Sequence, residues 1–599
     1  MKKMLPGEYY HTRISVLQND LKLLLKKRKA LAWLRFSVVA GIVSCCYFIF
    51  SFGLLFCIIP AILLIVLFTR LIFADLKNKS SIQHHRYLTD INEDEIKALS
   101  HHYYHFKEGT EYLPKDHLYA NDLDIFGHAS IYQYINRAGS EMGSSTLASW
   151  LLNPAPPETI LARQEAIKEL KKEPAWRQQL QAYAITKHIR QETKDRLQNW
   201  FEEENRFVNN KNFFLLRYLI PAILITVLVL NITDVLNNPI RNYCLLASAL
   251  FAFYISKKVT PLHQQVSKMT DELEVLSDSI KLIEQTGFNS SFLEGLQKQF
   301  IQQNTTASKE VTKLKKILER LDLRFNIVVF IPLDILFQWD LQQAIALEKW
   351  KEQNHSKVMN WFTALGEMEA ISSLATLSFN HPAWCYPVFK AADFFIEAEN
   401  TGHPLIQAAS CVTNPLKIDH AGELILVTGS NMAGKSTYLR SIGVNTVLAM
   451  AGAPVCASSF CLSPVQVISS MRIADNLEEN TSTFYAELKK LKQIIDKVNH
   501  GEKVFILLDE ILRGTNSLDR HTGSAALIRQ LIKHKAACII ATHDVELAKM
   551  KVEYPENILT YHFDVQVSND ELYFDYKLKE GICTSLNASL LMKKIGIEL

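Results

Sequence analysis

The stretch Thr428-Gly429-Ser430-Asn431-Met432-Ala433-Gly434-Lys435-Ser436-Thr437 lies between an apolar run, Leu424 to Val427, and a helix-forming segment. Strand, glycine-rich loop and helix in that order make a phosphate cradle, because backbone N–H groups of the loop and of the helix N-terminus point at one anion. In this reading residues 429–437 form the binding loop. Lys435 reaches the terminal phosphates and the Ser436 hydroxyl ligates Mg²⁺. Downstream, Val504 to Leu508 is a continuous apolar run ending in Asp509 and Glu510, the pattern of a buried parallel strand with two carboxylates at its carboxyl end. Such ends are where α/β sheets bind ligands. Asp509 is placed to hold Mg²⁺ through water, and Glu510 to orient or deprotonate an attacking water. A further apolar strand, Ala536 to Ala541, ends in Thr542-His543, which puts an imidazole within reach of a γ-phosphate. ATP and Mg²⁺ are the ligands this set implies, and phosphoanhydride hydrolysis is its chemistry.

Around these residues, 599 positions leave room for several domains, each with its own core. A formal net charge of +3 is too small to argue by itself for nucleic acid or anionic lipid. The 10 cysteines are scattered without a C-x-x-C pair, which points to buried, reduced thiols and to neither a zinc site nor a disulfide framework. His101, His102 and His105 read as part of a solvated linker.

From Phe36 to Thr69 no residue is charged. The run is too long for one helix across a hydrocarbon core of roughly 30 Å and suits a hairpin of two, at about 33–51 and 54–73, turning at Ser51-Phe52-Gly53. Lys26, Lys27, Arg28, Lys29 and Arg35 precede it and Arg70, Lys77 and Lys79 follow, so both ends are expected on the cytoplasmic side of the inner membrane, and the ATPase with them. A second apolar pair, Tyr218 to Thr233 and Asn242 to Ser256, flanks a polar turn; a membrane hairpin at 213–256 is the expectation, with a buried helical hairpin as the alternative. The apolar run Ile327 to Trp339 carries Asp334 and reads as core. Ser140 to Leu152, Pro157 to Glu173, Lys257 to Thr286 and Thr305 to Leu323 have helical periodicity.

Three strings resemble the MutS family of ATPases when taken together: the loop with Asn431-Met432 inside it, Asp509-Glu510-Ile511-Leu512-Arg513-Gly514-Thr515, and Ala541-Thr542-His543-Asp544-Val545-Glu546-Leu547. Gly402-His403-Pro404, Asn414-Pro415 and Tyr576 to Gly581 extend the likeness. Leu123-Asp124-Ile125-Phe126-Gly127, Met142-Gly143 and Trp150 to Pro154 resemble the start of that family's core and lever helices. The resemblance implies an ATPase of the ABC class, in which two sites form across a dimer. Ser482-Thr483-Phe484-Tyr485-Ala486-Glu487-Leu488 is similar to the signature loop, so Ser482 and Thr483 would address the nucleotide of the partner subunit. Ser430 stands where the family has Pro, Ala433 where it has Gly, and Leu512 where it has Gly, the last expected to alter the turn after Glu510. Mismatch-recognising members begin with a domain carrying an aromatic wedge in a Phe-x-Glu motif. Phe106-Lys107-Glu108 matches the tripeptide in a linker, and the wedge role is not assigned to it.

The expected architecture is multi-domain: a membrane hairpin and linker at 1–115, an all-α core and lever domain at 116–380 interrupted by the apolar hairpin, and an α/β P-loop domain of ABC type at 381–599. The expected activity is that of a membrane-anchored homodimeric ATPase that closes on nucleotide and binds double-stranded DNA without mismatch-specific readout. The alternative is an ATP-driven mechanochemical membrane protein acting on a membrane partner or substrate. A self-contained ABC transporter fits less well, since soluble helices split the apolar pairs.

Overall fold

The computed structural model describes residues 4–49, 54–186, 188–301, 305–430, 432–471, 483–568 and 571–583. Two long helices, α1 (Pro6–Ile49) and α2 (Leu54–Leu99), pack as an antiparallel hairpin. At 1.5 Å per residue each is about 65 Å long, so the apolar segments expected at 33–51 and 54–73 are only its far ends. The Ser51-Phe52-Gly53 turn lies outside the described residues. The near end is seated on the helical body. Leu17, Leu88 and Ile91 bury against Ala182, and the Tyr10 hydroxyl donates to Asn380 Oδ1 at 2.7 Å.

The body consists of α3 (Ile131–Ile135), α4 (Glu141–Leu152), α5 (Pro157–Lys171), α6 (Pro174–Thr186), α7 (Gln191–Glu202), α8 (Lys211–Ile232) and α9 (Asn238–Val266). It continues with α10 (Thr270–Glu284), α11 (Ser291–Phe300), α12 (Ala307–Leu321), α13 (Ile327–Phe337) and α14 (Trp339–Asn380). Ser140 and Ser290 cap α4 and α11 by accepting the amides of Gly143 and Leu293, which fixes where those helices begin. The helical pattern over Lys257 to Thr286 divides in two at a 3₁₀ turn, Ser267–Met269, and the turn lets α10 lie against α12 and α6.

Helix α14, 42 residues and about 63 Å long, is the spine. From Trp361 to Ser378 it is buried on nearly every side, and along its length it packs against α4, α5, α11 and α12. Its other end holds the chain just before α8. Glu348 accepts the backbone N–H groups of Arg206, Phe207 and Val208 at 2.8, 2.8 and 2.7 Å, and Trp350 stacks on Trp200 with centroids 6.3 Å apart.

Among the described residues, three helices are long and apolar enough to cross a membrane: Ile59–Leu99, Lys211–Ile232 and Asn238–Met269. The outer faces of α8 and α9 are bare, with Ile232 80% exposed. Helix α13 departs from the sequence expectation. It is not core: Val328 is 83% exposed, and the helix packs along α8 and α9 as a third apolar element. Hydropathy alone cannot say what covers an apolar run, and among the described residues one side of this one is left exposed. The chain turns from α13 into α14 through Gln338 at φ 51°, while buried Asp334 accepts the Asp340 N–H at 3.0 Å.

Beyond Asn380 the chain becomes mixed α/β, with β1 (Val388–Phe389), β2 (Ile396–Thr401), β3 (Asn414–Ile418), β4 (Leu424–Thr428), α15 (Lys435–Ala451), β5 (Ser459–Leu462) and β6 (Gln466–Ser470). There follow α16 (Thr483–Asn499), β7 (Val504–Asp509), α17 (Ser517–Lys533), β8 (Ala537–Thr542), α18 (Val545–Ala548), β9 (Ile558–Ser568) and β10 (Glu571–Glu580). A small sheet runs β1-β5-β2-β3; the main sheet runs β10-β9-β4-β8-β7-β6, parallel except for β10. The three central strands are buried at every position, as sheets covered on both faces require. Alternate residues point to opposite faces. Ile425, Val427, Phe505, Leu507 and Ile539 join the core shared with the helical body, whereas Leu424, Leu426, Ile506, Leu508 and Ile540 join a second core under α16 and α17.

One buried acid ties α14 to α4. Glu369 accepts the Ser140 N–H and hydroxyl at 3.0 and 2.6 Å, and a side chain on Gly143 would collide with it. Burial pushes its carboxyl up to about 7 from an ordinary value of 4.5. The folded protein therefore binds this proton more tightly than the unfolded chain, and the stability it contributes is fully present below about pH 4.5 and lost as pH rises through about 7. Glu369→Gln should flatten the dependence of thermal stability on pH between those values and raise stability at pH 8, by an amount on the order of 3 kcal/mol. Melting curves with an unchanged pH slope would contradict this.

Candidate functional site

Strands β4, β8 and β7 lie side by side, with Thr428 opposite Thr542 and Asp509 opposite Ala541. Their carboxyl ends are thereby level, and whatever follows each strand meets at one edge. After β4 comes the loop 429–434, closed by Gly434 at φ 105°, where Tyr576 Cδ1 lies 3.1 Å from the place a Cβ would occupy. Both the left-handed backbone and the contact require glycine. The N-terminus of α15 opens onto this edge.

Lys435 is 4% exposed. Its ammonium donates to the carbonyls of Gly429 and Ser430 at 2.8 and 2.9 Å and lies 3.4 Å from His543 Nδ1. Burial lowers its affinity for the proton, and Glu510 and Asp509 oppose that. The Ser436 hydroxyl donates to Asp509 Oδ2 at 2.6 Å. Asp509 Oδ1 is buried with no hydrogen-bond partner among the described residues, an orphaned anionic oxygen beside a hydroxyl. A hard cation with oxygen ligands suits that pair.

Glu510 sits at φ 50°, its N–H donating to the Ala541 carbonyl at 2.9 Å. Its carboxylate is shared between His543 Nε2 and Arg513 Nε, the latter at 3.0 Å. The hydrogen bond to His543, with help from the Arg513 charge and against partial burial, holds Glu510 below the usual carboxylate range. His543 Nδ1 faces the Gly429 carbonyl at 3.0 Å, so the imidazole bridges the loop and the acid. The structure thus brings Lys435, Ser436, Asp509, Glu510 and His543 together. Gly429, Ser430, Met432, Ala433, Gly434 and Thr437 stand along the same loop and helix start, with Met432 79% exposed. Asn431 and Ser482 lie outside the described residues, as does the side chain of Thr483, which opens α16.

The turn after Glu510 keeps a left-handed residue where Leu512 stands, at φ 59°. A non-glycine residue there is strained by roughly 1–2 kcal/mol. Burial of its side chain against the second core and a hydrogen bond from its amide to Glu487 Oε1 offset that strain. Glu487, on α16, is therefore a support of the turn after Glu510, a role that its place in the signature-like string did not indicate. Phe484, on the same helix, packs so closely on Gly514 that a Cβ there would lie 2.7 Å away.

Beside the loop opens a cleft of about 360 Å³, walled by His403, Ile406, Val412, Met432, Phe563 and Tyr576. Burial pushes His403 down to about 4, so it presents a neutral ring. Asn414 fixes the far wall, donating to the Tyr576 carbonyl at 3.0 Å and accepting the Leu578 amide at 2.9 Å. The helical body grips the same domain. Arg440 on α15 pairs with Asp124 at 3.0 Å, Ser469 donates to Asp122 at 2.8 Å, and Leu123 fills the space over Gly443. Phe106 is packed under the Arg137 guanidinium, 3.8 Å from its ring centroid, a structural contact.

Residues 425–591 match the family described as MutS domain V. The chain is 33% identical over 205 residues to the "MutS protein homolog 4" of Homo sapiens, covering 32% of this chain and 22% of that protein. It is 32% identical over 249 residues to the "DNA mismatch repair protein MutS" of Aquifex pyrophilus, covering 41% of this chain and 28% of that protein. The matched region spans only about a quarter of the length of these relatives. The region that carries the loop, the paired acids and the histidine is thus similar to domain V of the MutS family.

Proposed function

We propose that this chain is a membrane-anchored ATPase of the MutS type, in which ATP binding and hydrolysis at the β4–β7–β8 edge drive dimer closure and move helices held in the cytoplasmic membrane. The observation that carries it is the meeting of buried Lys435, the Ser436–Asp509 pair and the Glu510–His543 pair at one sheet edge. The triphosphate replaces the loop carbonyls as the acceptor of the Lys435 ammonium. Mg²⁺, held by Ser436 and through water by Asp509, would neutralise charge on the phosphates. Glu510, kept ionised by its neighbours, orients water for in-line attack on the γ-phosphorus, and the bond to the bridging oxygen breaks to release ADP. His543 lies against the same phosphate. Ser482 and Thr483 of a second copy complete the site, so the active unit is a homodimer.

Support for the membrane comes from the length and bare apolar faces of α2, α8 and α9 and from the basic residues flanking the first hairpin. Those residues favour the cytoplasm for the ATPase. Coupling follows from contiguity: α15 packs on α4, α4 on α14, and the far end of α14 holds the start of α8 through Glu348. A membrane partner or substrate is the reading this arrangement favours. The names of the relatives favour a second reading, that the helical arms hold double-stranded DNA by its phosphates.

The catalytic assignment is tested with two variants of the detergent-solubilised chain. Lys435→Ala should lose Mg·ATP binding, whereas Glu510→Gln should bind Mg·ATP and turn it over at least 10²-fold more slowly. Wild-type turnover by Glu510→Gln would remove it from the role of base. The two substrate readings separate on duplex DNA: a DNA-clamping protein retains it with an affinity that falls steeply with salt. A membrane machine is expected to show no retention at moderate salt and no stimulation of turnover.

A further inference from the structure

Cys411 and Cys456 are 45 positions apart in the sequence and meet beside the cleft. Both sulfurs press on Gly402: a Cβ built there would lie 2.6 Å from Cys411 Sγ and 3.3 Å from Cys456 Sγ. The two sulfurs are therefore no further apart than the sum of those distances, 5.9 Å. Only glycine leaves room for them.

The two segments are held in register by a residue of α15. Asn445 donates to the Gly402 carbonyl at 2.8 Å and accepts the Cys456 amide at 2.7 Å, while the Gly402 N–H donates to the Cys456 carbonyl at 2.9 Å. Neither thiol is fully buried, and residues 407–410, which lead into Cys411, are exposed. A hydrogen bond from the Cys456 thiol holds Cys411 below the ordinary thiol range, which favours its thiolate, whereas burial keeps the nearby Cys385 protonated. Ser410 and Val412, on either side of Cys411, line the cleft, and Cys411 itself faces the other way, toward Gly402.

We propose that Cys411 and Cys456 are a redox modification site, oxidised to a disulfide by small-molecule disulfides, and that the cross-link weakens nucleotide binding at the adjoining cleft. In the reaction the Cys411 thiolate attacks one sulfur of a small disulfide, forming a mixed disulfide and releasing one small thiolate, which takes up a proton. The Cys456 thiol then loses its proton and attacks Cys411 Sγ, expelling the second small thiolate; two protein thiols are oxidised and one small disulfide is reduced to two thiols. Bonding brings the sulfurs to about 2.05 Å and so draws Cys411 toward Cys456. Ser410 and Val412 are pulled with it, away from the cleft. The regulatory half rests on the nucleotide reading given above.

The test uses the full-length chain in detergent, reduced and then incubated with oxidised glutathione. Non-reducing peptide mapping should find a Cys411–Cys456 linkage, and a fluorescent ATP analogue with Mg²⁺ should bind several-fold more weakly, recovering on reduction. Cys456→Ser and Cys411→Ser should each bind the analogue like the reduced wild type and be indifferent to the oxidant. No Cys411–Cys456 linkage, or one between Cys385 and Cys456 in its place, would overturn the site; the linkage with unchanged affinity would overturn its effect on the cleft. Failure of the reduced protein to bind the analogue would overturn the nucleotide reading and the regulatory half with it, and the peptide map would still decide the modification.

Discussion

A lysine ammonium buried at the carboxyl edge of a parallel sheet persists only where oxygen acceptors surround it, because burial alone favours loss of its proton. Lys435 meets that condition through two carbonyls of its own loop, with Asp509 and Glu510 close by. The loop closes onto α15 through Gly434, which adopts a left-handed backbone against Tyr576. The acids are close only because three strands end level in register. The rest of the C-terminal fold serves that alignment: two apolar cores clamp the strands from opposite faces, and α16 reaches over to hold the turn after Glu510 through Glu487.

The helical region extends the same logic outward. Helix α14 is too long to be a local packing element, and its two ends do different things. One end is buried against α4 and, through it, α15; the other carries a carboxylate that holds three successive amides just before an apolar helix. Three apolar helices with bare faces then gather at that far end. Helix α14 is thus one continuous element between the body that packs on α15 and a cluster of exposed apolar helices, and the proposed coupling runs along it.

Much of this was readable in the chain because the signals were local. The central strands are unbroken apolar runs, and the loop, the paired acids and the histidine each directly follow or lie beside one, so their convergence follows from parallel pairing. What could not be read depended on distant partners. The charged halves of α1 and α2 carry no hydropathic mark of the long hairpin they complete. Helix α13 has the composition of a core element and lies on the outside. Glu348 and Glu369 look like ordinary helical surface acids until the fold brings backbone amides or a serine against them, and Glu487, inside the signature-like string, shows its hold on the Leu512 amide only in the fold. Cys411 and Cys456 have no spacing to betray them, since only the closure of residues 402–413 onto the end of α15 brings them together. Leu512 shows the reverse case: the sequence marks a departure at the turn, and the structure absorbs it as a strained but buried left-handed residue.

Hydrogen exchange of the full-length chain with and without Mg·ATP addresses the central claim most directly, since it reads the cradle and its far end in one experiment. The account predicts slowed exchange across Gly429–Thr437 and around Asp509–Leu512, accompanied by altered exchange at Arg206–Val208, where Glu348 of α14 holds the chain. Unchanged exchange in the loop would contradict nucleotide binding there, and protection confined to the loop would contradict the connection through α14.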